Sequence, residues 1–97
     1  MPSIELTTEW QEATGPLGMA DGTSYLVEFH GDKRTVVQAI AVNGTTRPDN
    51  DAIDWFAYHN RDTNNHVLPT SFTKDAGFTW WARIGNSGSS TMVSGTL

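Results

Sequence analysis

Hydrophobic and polar residues alternate along most of this chain, in short segments that end at glycine, proline, asparagine or aspartate. The clearest alternation runs over residues 24–30, where Tyr25, Val27 and Phe29 occupy every second position. Successive side chains of a β-strand point to opposite faces, so this spacing predicts a strand with one buried face. Residues 35–42 are apolar at nearly every position and predict a central strand that is covered on both faces.

The segment 78–84 reads Phe-Thr-Trp-Trp-Ala-Arg-Ile between two glycines and predicts a further strand with two different faces. Trp80 belongs to the apolar set of alternate positions, so it is predicted to be core. Trp81 falls on the other face beside a threonine and an arginine, a composition typical of a surface that binds or assembles. The alternative is that Trp81 lies under the long loop 43–54.

Turn signals at roughly 8–12 residue spacing separate the predicted strands, and this spacing is typical of β-sandwiches and barrels. The remaining strand segments are 3–8, 10–14, 54–58 (or one helical turn), 67–73 and 90–94. No amphipathic helix of useful length is visible. We therefore predict one all-β domain over residues 1–97, a small antiparallel β-sandwich or barrel-like domain of about seven or eight short strands. Residues 1–8 are predicted to be an N-terminal arm or an edge strand, Pro69 indicates an edge or a bend, and residues 43–54 form a long acidic loop.

Charge and cysteine content narrow the function classes. Six Lys and Arg stand against eleven Asp and Glu in the 97 residues, which gives a formal net charge of −5. Such a chain lacks the cationic footprint that binds nucleic acid or an anionic membrane surface. It has no cysteine, and therefore neither a disulfide nor a cysteine ligand for zinc. Its first residues lack the basic and apolar regions of a secretion signal, so we expect the protein in the cytoplasm or in an assembled particle.

The loop 43–54 contains the best candidate for a metal site. Asp49, Asp51 and Asp54 are close together in sequence, and carboxylates on one loop can converge on calcium. The loop lacks the glycine and the distal glutamate of an EF-hand, and a solvated loop explains the same residues more simply. We expect no bound metal here.

Other chemistry has weaker support. His59, Asp62 and His66 flank one turn at a spacing that could ligate zinc, but a polar turn rich in asparagine is the better explanation. There is no Gly-x-Ser-x-Gly elbow, and Glu28 has no identifiable carboxylate partner for glycoside hydrolysis. We therefore expect a protein that is not an enzyme and that needs no cofactor.

Four aromatic residues leave three interpretations open: Trp10, Trp55, Tyr58 and Trp81. They could form a platform on which sugars stack, as in carbohydrate-binding sandwiches. They could instead anchor a protein interface, where tryptophan, tyrosine and arginine are enriched. The simplest interpretation is that most of them are core residues.

Three blocks of the sequence resemble a family of small β-sandwich proteins encoded among phage virion genes. The blocks are Trp10-x-x-x-Thr14-Gly15, then residues 21–29 (Asp-Gly-Thr-Ser-Tyr-Leu-Val-Glu-Phe) with 35–39 (Thr-Val-Val-Gln-Ala), and last residues 66–69 (His-Val-Leu-Pro) with 78–83 (Phe-Thr-Trp-Trp-Ala-Arg). All of these motifs are turns and core positions. The chain departs from the family pattern at Phe29, where asparagine is usual, at Asn65, where glycine is common, and in its longer, more acidic loop 43–54.

The resemblance implies a structural role in the virion. We expect a capsid decoration or cement protein, made in the host cytoplasm, that binds the major capsid protein lattice at the capsid surface as a homo-oligomer such as a trimer. The residues expected at its interface are Trp81, Arg83, Trp55, Tyr58, Ile4 and Leu6. One alternative is a tail, fibre or head–tail component of the virion. An alternative from a different class is a carbohydrate-binding module.

Overall fold

The computed structural model describes the backbone of residues 2–31, 36–52, 55–59, 66–85 and 90–96. All regular elements in these ranges are β-strands. They are β1 (Ser3–Leu6), β2 (Gln11–Glu12), β3 (Thr23–Gly31), β4 (Val36–Asn43), β5 (Phe56–His59), β6 (His66–Lys74), β7 (Phe78–Ile84) and β8 (Ser90–Thr96). Within the described ranges, no helix is long and apolar enough to cross a membrane.

The strands form two antiparallel sheets, which confirms the predicted all-β sandwich. Sheet A has the order β1-β8-β3-β6 and sheet B the order β2-β7-β4-β5, although β2 contributes only two residues. The first four strands pair in reverse order with the last four, and β3–β8 and β4–β7 pairs complete the sheets. This is the strand order of a jelly roll, in which a long antiparallel hairpin wraps around a common core.

Two predictions about strand position are confirmed. The apolar strand over 35–42 is β4, which lies inside sheet B between β7 and β5. Pro69 lies in β6 at the edge of sheet A, where its missing N–H costs the sheet least. The strand β1 lies at the opposite edge of sheet A, so residues 3–6 are an edge strand paired with β8.

The predicted strands over 3–8 and 10–14 were too long. After Leu6 the chain leaves sheet A, and the Thr7 carbonyl already accepts a hydrogen bond from Ile84 N of sheet B. The side chain of Gln11 satisfies the backbone at this corner, because its Oε1 accepts from Thr7 N at 2.7 Å and its Nε2 donates to the Glu5 carbonyl at 2.7 Å. Side-chain bonds of this kind replace the ladder that a longer strand would need.

The core lies between the sheets and contains the inward residues of the alternating strands. Tyr25, Val27 and Phe29 are all buried, as predicted. Trp80 is also core, as predicted, and its ring stacks on Phe72 with 4.2 Å between ring centroids and 24° between planes. Stacked aromatic pairs of this size contribute a large share of the apolar area in a small core.

Lys74 extends the predicted strand over 67–73 by one residue and is buried. It is the last residue of β6 and only 6% exposed. Its ammonium donates to Asp21 Oδ1 at 2.5 Å and to the Asp75 carbonyl at 3.0 Å. The turn at Asp21-Gly22, which the sequence did predict, supplies the carboxylate, so the buried charge is paired.

Candidate interaction surfaces

The outer face of sheet B carries the residues that the sequence singled out on β7. Register places Trp81 opposite Ile40 and Arg83 opposite Gln38, with all four side chains on the face away from the core. Trp10, which precedes β2, lies under Arg83 on the same face. Trp10 and Ile40 are buried, yet they stand outside the main core cluster. They therefore belong to a second, smaller apolar layer.

A loop of this chain lies across that layer. We call residues 44–52 the cover loop. The loop starts at Gly44, whose φ of 92° is a conformation that glycine adopts readily. The Gly44 N–H donates to the Gly77 carbonyl, and the Gly44 carbonyl accepts a hydrogen bond from Thr79 Oγ1. Farther on, Pro48 is buried. Trp10 Nε1 donates to the Asp49 carbonyl at 3.0 Å. The cover loop is thus bonded along its length.

Arg83 is the central anchor of the cover loop. Its Nε donates to Gln38 Oε1 at 2.7 Å, and its Nη1 donates to the Asn50 carbonyl at 2.9 Å. The guanidinium carbon lies 4.2 Å from the centroid of the Trp10 ring, a geometry suited to a cation–π interaction. One planar side chain therefore joins the loop backbone, a buried amide and an indole, which is a task that arginine performs better than lysine.

A second arginine, Arg47, belongs to the cover loop itself and bonds it to the segment before β2. Arg47 Nη2 donates to Glu9 Oε2 at 2.8 Å and to Asn50 Oδ1 at 3.1 Å. Both partners of the Arg47–Glu9 ion pair are well exposed, with 41% and 71% of their side-chain surface accessible. Exposed pairs of this kind contribute little to stability, so Arg47 orients the loop more than it holds it down.

Trp81 is half-buried on this face, and its Nε1 is fully buried with no hydrogen-bond partner in the described part of the chain. The residues on either side of it on the same face, Thr79 and Arg83, both donate to carbonyls of the cover loop. The loop therefore crosses the strand where Trp81 stands. This is the arrangement that the sequence left open as the alternative to a free Trp81 surface.

The other residues expected at an interface have different surroundings. Trp55 is half-buried, and its Nε1 donates to the Ala52 carbonyl at 2.7 Å, so it closes the end of the cover loop. Ile4 packs partly buried against the core. Leu6 is 5% exposed and belongs to the core, so it offers no surface to a partner. The side chain of Tyr58 lies outside the described residues.

The candidate metal ligands are only partly described. Asp49 and Asp51 are exposed on the cover loop, whereas Asp54 lies outside the described residues. Asp62 and the side chains of His59 and His66 also lie outside them. Among the residues that are described, no group of three or more His, Cys, Asp or Glu side chains could hold a metal ion.

The outer face of sheet A was not recognised from the sequence as a candidate site. We call it the open face. Its described outward residues are Ser3 and Glu5 of β1, Ser24, Leu26, Glu28 and His30 of β3, Ser71 and Thr73 of β6, and Thr91 and Val93 of β8. All of them are exposed or half-buried, so among the described segments none covers this face as the cover loop covers sheet B.

Half of the ten described outward residues of the open face are serine or threonine, and three are ionisable: Glu5, Glu28 and His30. Leu26 and Val93 are its half-buried apolar residues. Glu28 Oε1 lies 3.1 Å from His30 Nε2, and Ser24 Oγ lies 2.8 Å from Thr73 Oγ1. The alternation in residues 24–30 contained part of this signal, because Leu26 is an apolar residue in the outward set. Only the strand order shows which residues of β6 and β8 surround it.

A scan against protein-family models, a search of curated proteins and a search of solved structures found no match to this chain. The resemblance to phage virion proteins therefore stays a prediction from the sequence motifs.

Proposed function

We propose that this chain is a non-enzymatic structural protein of a phage virion, and that it decorates the assembled head and stabilises it. The sequence resemblance supports this proposal. The jelly-roll strand order is compatible with it by analogy, because viral capsid proteins often have this fold. Lectins have it too, so the fold alone does not choose between a capsid protein and a sugar-binding protein.

The observation that carries the proposal is the anchored cover loop. Thr46, Asp49 and Asp51 are exposed on it, while Trp10, Thr79 and Arg83 fix its backbone from below. A loop that is already ordered loses less conformational entropy when it binds a partner. Binding residues are commonly carried on such loops by a rigid sheet. In this proposal Trp81 and Arg83 support the capsid contact from beneath the loop.

The proposal gives the protein a mechanical role. Each copy adds a small, preformed contact to the lattice of the major capsid protein, and many copies together resist the internal pressure of the head. No single contact needs to be strong, because the overall affinity of several linked contacts exceeds the affinity of each one. A tail or head–tail position uses the same surface and differs in the number of copies.

A carbohydrate-binding module is less well supported by the described geometry. A sugar platform needs aromatic rings that face the solvent, whereas Trp10 is 4% exposed and Trp81 Nε1 is buried. A sugar could stack on the Trp10 ring only after the cover loop had moved. Quenching of tryptophan fluorescence by oligosaccharides would favour this function over the virion role.

A binding assay tests the proposed function. Purified protein is added to particles that lack it, and the particles are sedimented. We expect saturable binding that raises the temperature at which the heads release their DNA. The variant Thr46→Lys, on the cover loop, should weaken binding at least about tenfold, which corresponds to ~1.4 kcal/mol. Ala20→Lys, which places the same charge at an exposed turn, is the control.

Wild-type protein that does not sediment with the particles would contradict the proposed function. Equal weakening by the two lysine variants would contradict the specific contribution of the cover loop. Circular dichroism of both variants shows whether the fold is kept, so that loss of binding is not mistaken for unfolding.

A further inference from the structure

We propose that Asn43 is a site of spontaneous deamidation and that the anchored cover loop sets the rate of this modification. The reaction needs no partner and goes beyond the proposed function. Asn43 is the exposed last residue of β4, and Gly44 begins the cover loop. An asparagine side chain is attacked most readily by its own backbone when glycine follows it, because glycine has no Cβ to hinder the approach. The site is also open, since a Cβ built on Gly44 would meet no atom within 4 Å.

The reaction uses only this chain and water. The Gly44 nitrogen gives up its proton to a base in the solvent and forms a bond to Cγ of Asn43. The bond from Cγ to the side-chain nitrogen breaks, and that nitrogen takes up a proton and leaves as ammonia. Water then opens the cyclic imide at one of its carbonyl carbons, which yields aspartate or isoaspartate. Nothing is oxidised or reduced, and the chain gains a carboxylate.

The folded structure opposes the first step of this reaction. The Gly44 N–H donates to the Gly77 carbonyl at 2.8 Å, so the proton that must leave is held in a hydrogen bond. The Gly44 carbonyl accepts from Thr79 Oγ1 at 2.7 Å, and Asn43 is paired with Phe78 between β4 and β7. The Gly44 nitrogen can therefore attack only after these contacts open locally, which is also the condition for hydrogen exchange at its amide.

Deamidation acts back on the cover loop. Isoaspartate carries the main chain through its own Cβ, so the path from β4 to Gly44 becomes longer. The Gly44 N–H and carbonyl then no longer match the Gly77 carbonyl and Thr79 Oγ1, which hold the start of the loop. The new carboxylate also adds negative charge to a chain whose net charge is −5. The cover loop of a modified molecule is therefore loosened at its first residue.

Peptide mapping by mass spectrometry on the purified protein tests this inference. One sample is incubated folded in warm, mildly alkaline buffer, and a second is incubated unfolded in guanidinium chloride at the same pH. We expect aspartate and isoaspartate at position 43 in both samples, formed at least about tenfold more slowly in the folded protein. Equal rates in the two samples would overturn the control by the cover loop. Folded protein in which Asn43 keeps its amide throughout would overturn the site itself.

A pair of matched variants tests the control by the cover loop. Thr79→Val removes the hydrogen bond to the Gly44 carbonyl. It should raise both hydrogen exchange at the Gly44 amide and deamidation of Asn43 about fivefold, the factor that corresponds to one ordinary hydrogen bond. Thr73→Val is the control, because it removes the hydrogen bond to Ser24 on the outer face of sheet A and should leave both rates unchanged.

Two results with these variants would overturn the inference. One is a deamidation rate that Thr79→Val leaves unchanged, and the other is equal acceleration by Thr73→Val. Hydrogen exchange of the amides in the core strands is followed in the same samples. Unchanged exchange there shows that each variant keeps its fold, so that a local opening at Gly44 is not mistaken for global unfolding.

Discussion

Replacing Arg83 by alanine should destabilise the fold far more than replacing Arg47, although both arginines link the cover loop to the rest of the molecule. Arg83→Ala removes a partly buried hydrogen bond to Gln38, worth about 1.5–3 kcal/mol because the donor is charged. It also removes the stacking on Trp10, worth about 0.5–2 kcal/mol, and a more exposed bond to the Asn50 carbonyl. Partial exposure reduces the sum, and we expect a loss of about 2–4 kcal/mol.

That loss is large beside the total stability of a small domain, which is about 5–10 kcal/mol. Arg47→Ala breaks only an exposed ion pair and should cost less than about 1 kcal/mol. Equilibrium unfolding in urea, followed by tryptophan fluorescence, measures both values. Arg83→Lys should fall between them, because lysine keeps the charge but cannot bond Gln38 and Asn50 while covering Trp10. Equal losses in the two alanine variants would refute the role given to Arg83.

Three further predictions concern the core and the turns, and the same unfolding experiment measures each of them. Phe72→Ala should cost about 3–5 kcal/mol, because Phe72 is 1% exposed and stacks on Trp80; a loss below 1 kcal/mol would show that the stack is dispensable. Gly85→Ala should cost about 1–3 kcal/mol, because the new Cβ would lie 2.6 Å from the Gln38 amide nitrogen. Its effect on the free energy of unfolding should not add to that of Arg83→Ala, and full additivity would contradict the contact between residue 85 and Gln38. Gly22→Ala should cost about 1 kcal/mol, since its φ of 75° strains alanine although its side chain has open space; an unchanged midpoint would mean that the turn relaxes.

The elements that the sequence predicted best are those that short-range patterns specify. The inward residues of β3, the core position of Trp80 and the edge position of Pro69 all follow from alternation and from proline chemistry. Strand ends were predicted less well, because the end of β1 depends on a side chain, Gln11, that comes from a later segment. Local composition contains no signal for that contact.

Long-range pairing was beyond the sequence patterns. The jelly-roll order depends on β8 pairing with β3 and β7 pairing with β4, and single-sequence patterns do not encode such partners. The same limit explains Lys74, whose buried ammonium is paired with a residue from a distant turn. It explains Leu6 as well, which alternation placed on a strand without showing that its side chain would face the core.

The sequence identified residues of the candidate site, but it did not predict how they are arranged in space. The sequence separated Trp80 from Trp81 correctly by face, because neighbouring strand residues cannot both point inward. It could not decide whether Trp81 was free or covered, since that depends on how loop 43–54 folds back. The open face was missed because its members come from four strands and only Leu26 stands out within any one of them.

Quantitative mass spectrometry of purified, tail-stripped particles tests the virion proposal most directly. The copy number of this chain is measured relative to that of the major capsid protein. A decoration protein predicts a fixed ratio between the two, with many copies in every head that stay when the tails are removed. Complete absence of the chain from the particles would contradict the virion proposal, and a few copies that leave with the tails would contradict the decoration of the head.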